Sequence, residues 1–109
     1  IIMTLTLRVL LENHLASDAD SRLRNRAGLS LLLQDETTSV LFDTGPDDSF
    51  LHNAALMGVS LDNLTATVLS HGHYDHCGGV PWLTEKSNYL LPDNWAGALC
   101  RGERCGAQP

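Results

Sequence analysis

Residues 65–81 read TATVLSHGHYDHCGGVP. The run Thr65 to Leu69 has the look of a short buried strand. It passes without a break into Ser70, His71, Gly72, His73, Tyr74, Asp75 and His76, and then into Cys77-Gly78-Gly79-Val80-Pro81. Three of the five histidines fall within six residues, with an aspartate between them. Neutral imidazole and carboxylate are the ligands that zinc, iron and manganese accept. On an extended or looping backbone, residues two apart point the same way, so His71 and His73 can converge on one ion. Asp75 and His76 lie just beyond, where a turn can aim them at a second. Two ions about 3.5–4 Å apart activate a bridging hydroxide and clamp a leaving oxygen. Gly72 permits a tight path between the first two ligands, and Gly78-Gly79 permits close backbone approach beyond the last. A solvated histidine-rich loop is the plainer reading and would prevail for a single histidine. Four ligand-type residues in six, directly after a strand, favour a metal centre.

Upstream, residues 3–11 (MTLTLRVLL) read as a first strand. Residues 12–28 form a long polar loop whose only large apolar residues are Leu15 and Leu23, and loops of this length are often functional. Leu29 to Leu33 is a second strand, and Val40 to Phe42 begins a third. The polar turn between them makes the pair a hairpin. Asp43-Thr44-Gly45-Pro46 breaks the third strand. Asp47 and Asp48 suit a helix start. Phe50, Leu51, Ala54, Ala55 and Met57 then recur at helical spacing, and Gly58 is placed to end the helix. Strand, hairpin, helix, strand and polar loop in this order give an α/β fold.

The chain has 109 residues and a net charge of −6, which is the size of one domain. A hydrophobic fraction of 43% reads as globular. The acidic balance argues against a nucleic acid partner. Lys86 is the sole lysine, so no polybasic membrane patch is expected, and no apolar run is long enough to span a bilayer. The start does not read as a signal peptide. Three cysteines, Cys77, Cys100 and Cys105, suggest free thiols in a reducing, cytoplasmic setting.

The stretch SHGHYDHCGGV resembles the HxHxDH signature of the metallo-β-lactamase fold superfamily, and the preceding LFDTG strengthens the likeness. The run from Gly28 to Leu83 looks most like the pterin–ribofuranosylaminobenzene phosphate synthase-like branch. This resemblance implies a four-layer αββα sandwich. His71 and His73 would hold the first metal, and Asp75 and His76 the second, zinc being the leading choice with iron or manganese as alternatives. Asp75 would also orient the attacking water as the catalytic residue. Asp43 would stand behind the ligands, where such carboxylates fix the orientation of ligating imidazoles; a plain strand-end turn residue is the alternative. The implied activity is a metal-dependent hydrolase that uses a metal-bound hydroxide on a phosphoester, lactone, thioester or lactam. The alternatives are a metal-binding but inactive half domain and a pterin-related synthase.

The resemblance also implies ligands downstream, yet no histidine follows His76 and the only later aspartate is Asp93. A catalytic zinc usually takes about three protein ligands plus water, so the motif is short of donors. His14, His52, Cys77 and Asp93 are the in-chain candidates. His14 sits on the long loop, where it could be a ligand or touch substrate. Cys77 could be a soft ligand but suits a buried structural role. Tyr74 could line the substrate pocket. His52 suits a helix surface. Residues 1–91 read as half of the sandwich, with one sheet face bare. Such faces normally mark interaction surfaces, and a two-fold homodimer, using the same patch on both copies, would cover it. Residues 92–109 read as a loosely ordered tail, with Trp95 and Leu99 as anchors and a C-x₄-C pair too small for a structural zinc site.

Overall fold

Leu5, Leu7 and Val9 alternate with Thr6 and Arg8, and Leu10 and Leu11 follow side by side. In the computed structural model, which describes residues 4–83 and 88–91, this segment is strand β1, Thr6–Leu11. Its pairing slips between Val9 and Leu11. A bulge of this kind breaks the two-residue alternation, which is why Leu10 and Leu11 are both buried. Strand β2, Ser30–Gln34, pairs antiparallel with β1 and with β3, Ser39–Phe42. Helix α1, Ser49–Leu56, then crosses over to β4, Ala66–Val68, which lies parallel to β3. Gly58 follows the helix at φ +71°, the left-handed conformation that glycine adopts without strain.

Two elements depart from the sequence reading. Tyr74–Cys77, expected as loop, is a single helical turn, α2. Asn88–Leu90 is a fifth strand, β5, parallel to β4. Its three residues are too few to show a pattern, and its pairing with β4 is what defines it. A 3₁₀ turn covers Val80–Trp82. The sheet order is β1-β2-β3-β4-β5, so the α/β class is as expected.

Helix α1 covers one face of the sheet. Phe50 and Ala54 of the helix pack on Leu10, Leu11, Leu32 and Leu41, with Leu51, Val59, Leu61 and Leu64 around them. The opposite face carries Leu7, Val9, Leu31, Leu33, Val40, Phe42, Ala66, Val68 and Leu90, which meet as ladder partners and so point the same way. None of these nine is buried. Leu7 is 57% exposed and Leu90 56%. Among the described residues, the sheet thus has one face covered by α1 and one apolar face left half-buried to exposed, as half of a sandwich would. Among the described residues, no helix is long and apolar enough to cross a membrane.

Candidate metal centre

The site is built where β3 and β4 end side by side. Asp43 follows β3 with φ at +58°, a left-handed conformation that aspartate tolerates better than most residues. It is fully buried. Its N–H donates to the Val68 carbonyl at 2.9 Å, and its own carbonyl accepts the Ser30 hydroxyl at 2.8 Å. The β2 and β4 strands thus hold this backbone from both sides. The carboxylate accepts three bonds. Oδ1 takes the Ser70 N–H at 2.8 Å, and Oδ2 takes the Ser70 hydroxyl at 2.6 Å and His76 Nδ1 at 2.8 Å.

The neighbouring turn clamps the ligand loop. Thr44 is fully buried, and its N–H donates to the His76 carbonyl at 2.7 Å. The Gly79 N–H reaches both Thr44 Oγ1 and the Gly45 carbonyl at 3.0 Å. A Cβ at Gly79 would come within 2.8 Å of the Thr44 carbonyl, so only glycine allows this approach. Gly28, at φ +139°, brings the long loop against the Asp75 carbonyl, where a Cβ would overlap it.

His71, Asp75 and His76 each offer a ligand atom, and these atoms lie within 4.8 Å of one another. The His71 and His76 rings are 4.3 Å apart between centroids. Asp75 Oδ2 is 3.9 Å from His76 Nε2. The convergent group therefore cuts across the pairs expected from the sequence: it takes one residue from the first pair and both from the second. His73 stands outside it, exposed, with its ring edge-on to His71 at 4.8 Å. Burial, and then the charges of His76 and His73, hold the His71 pKa below its ordinary value. That favours the neutral imidazole a metal requires.

A cleft of about 450 Å³ opens beside Asp75 and His76, walled by Glu12, Asn13, His14, Gly28 and Leu29. His14 therefore lines the cleft beside Asp75 and His76. Tyr74, the first residue of α2, is 40% exposed and is not among the residues that wall the cleft. Cys77 does not face this cleft. It is fully buried against Leu69, Val80 and Tyr89, with Sγ 3.2 Å from the His73 carbonyl oxygen. A sulfur packed in this apolar cluster, away from the cleft, suits the structural role rather than that of a soft ligand. His52 lies on α1, where Nε2 is 2.9 Å from the Arg22 carbonyl oxygen, and so is engaged elsewhere. Asp93, Trp95, Leu99, Cys100 and Cys105 lie outside the described residues. The sequence reading gave Ser70, Thr44 and Gly28 no part in the site. A hydroxyl beside the first histidine and another beside Asp43 were the available signals.

The metallo-β-lactamase superfamily family model matches residues 23–91. The chain belongs to that superfamily. Ribonuclease Z from Nocardia farcinica is 36% identical over 73 residues, which cover 67% of this chain and 23% of that protein. The 7,8-dihydropterin-6-methyl-4-(β-D-ribofuranosyl)-aminobenzene-5'-phosphate synthase of Methanocaldococcus jannaschii is 31% identical over 70 residues, covering 60% of this chain and 24% of that one. A crystal structure of a metal-dependent hydrolase of the β-lactamase superfamily superposes with a TM-score of 0.59 at 38% identity, covering 73% of this chain and 27% of that one. The chain thus spans about a quarter of the length of the relatives it matches.

Proposed function

We propose that this chain carries the ligand loop of a metal-dependent hydrolase acting on an ester-type substrate. The observation that carries the reading is the convergence of His71, Asp75 and His76 within 4.8 Å, with Nδ1 of His76 engaged by a buried carboxylate. Neutral imidazole with carboxylate is a donor set that suits zinc, with iron or manganese as alternatives. When bound, the ion would supply Lewis-acid polarisation and water activation. The chain's own residues do the rest. Asp43 keeps the proton of His76 on Nδ1 and so leaves Nε2 for ligation. Asp75 places a carboxylate at the mouth of the cleft, where it can accept a proton from an attacking water. His73 is the reserve donor for a second ion. His14 borders the space a substrate would fill, and Tyr74 is exposed on α2 next to Asp75 in the chain.

Phosphoesters lead the substrate classes, because two relatives are named for RNA and for a phosphate-bearing product. The acidic balance of this chain weighs against a long nucleic acid. Purified protein should hold zinc stoichiometrically and hydrolyse at least one member of a panel of phosphodiester, lactone, thioester, lactam and RNA substrates, with turnover abolished by chelation. Absence of bound metal after reconstitution refutes the reading. A second reading, metal binding without turnover, is favoured by the short donor set; bound zinc with a silent panel would establish it. A pterin-related synthase is supported only by the likeness to the archaeal protein.

The bare sheet face bears on the missing donors. We infer that a second copy of this chain covers it. The nine residues are all uncharged and apolar, so two copies can meet without burying a charge, and an isologous contact uses one patch twice. Light scattering at micromolar concentration should give a dimer mass. A monodisperse monomer would contradict the pairing.

A further inference from the structure

We propose that Ser70 is a positioning residue that extends the reach of Asp43 to His71, so that one buried carboxylate sets the proton of both ligating imidazoles. The inference rests on the metal-site reading above. Ser70 Oγ lies 2.6 Å from Asp43 Oδ2 and 2.8 Å from His71 Nδ1. A hydroxyl has one proton to give and lone pairs to receive, and an ionised carboxylate has none to give. The hydroxyl therefore donates to Asp43 and accepts from His71. That fixes the proton of His71 on Nδ1 and leaves Nε2 bare. His76 reaches the same outcome by direct contact, Nδ1 to Asp43 Oδ2 at 2.8 Å. The two rings, 4.3 Å apart between centroids, thus present the same nitrogen by two routes, one through a hydroxyl and one without. The Ser70 N–H is bonded to Asp43 Oδ1, so the backbone grip survives loss of the side chain. Orienting partners of this kind are worth about 10–100-fold in metal affinity.

The test compares Ser70→Ala with Ser70→Thr. The first readout is imidazole ¹⁵N NMR on the metal-free protein, at a pH well above the ordinary histidine range. The wild type and Ser70→Thr should carry the proton of both His71 and His76 on Nδ1. Ser70→Ala should release His71 to a tautomer mixture while His76 keeps Nδ1–H. The second readout is titration with zinc ion alone, in which Ser70→Ala should weaken binding by about 10-fold or more and Ser70→Thr should restore it. If Ser70→Ala leaves His71 on Nδ1, the hydroxyl is not the link. If it disturbs His71 and His76 alike, or Ser70→Thr fails to rescue, the side chain is only structural and the proposal is overturned. Wild-type protein that takes up no zinc would instead remove the metal-site reading itself.

Discussion

At Asp43 a single carboxylate meets Ser70 twice and His76 once. Asp43→Asn keeps the size and tolerates the left-handed backbone, but an amide turns one acceptor into a donor. Expected are a loss of about 1–3 kcal/mol in stability and about 10–100-fold in zinc affinity, read by thermal melting and metal titration. His71→Ala and His76→Ala should each abolish stoichiometric zinc and chelator-sensitive turnover; full activity in either variant would end the metal mechanism. The depressed His71 pKa also has a sign. The unfolded chain binds this proton more readily than the fold does, so the contribution of His71 is fully present above the ordinary histidine pKa. It is lost as pH falls toward the lowered value. Melting of the metal-free protein against pH, wild type beside His71→Ala, should show that difference. The donors themselves were legible, since HGHYDH is contiguous in the chain. Their support was not: Asp43 and Ser70 are 27 residues apart, and only the parallel pairing of β3 with β4 brings them together.

Among the elements, strands β1 to β4 could be read from short apolar runs bounded by turn residues, and helix α1 from helical spacing. Helix α2 could not. Its four residues hold a single buried position, Cys77, and its turn is closed by bonds from the His76 and Cys77 N–H groups to the His73 carbonyl. Strand β5 exists through its neighbour rather than its own pattern. The long loop between β1 and β2 stood out on length alone, and Gly28 is where it meets the Asp75 carbonyl. Gly28→Ala meets both a disfavoured φ and the Asp75 carbonyl. Backbone strain of this kind costs about 1–3 kcal/mol, and relief would push Asp75 away from His71 and His76. Zinc affinity should therefore fall together with the melting temperature, whereas Gly58→Ala, with open space around its Cβ position, should lower melting alone.

For the whole molecule, the open apolar face is where the proposed pairing of two copies can be tested. Leu7 is exposed on it, so Leu7→Glu should leave the folded core intact, with a change within about 0.5 kcal/mol in the isolated chain. It should also shift light scattering toward the monomer mass, and an unchanged mass would move the contact elsewhere. Reading residues 1–91 as one half of a sandwich led to the expectation of an open face, but which residues form that face required the ladder register. The same register has a thermodynamic corollary. Asp43 is gripped by Val68 and Ser30, so the cradle for the cation exists only while three strands stay in step. Occupancy and folding must then reinforce each other, since whatever binds only the native state stabilises it. Loading with zinc should slow amide exchange along β2, β3 and β4, beyond the ends that flank the site, and unfolding the sheet should release the ion in the same transition.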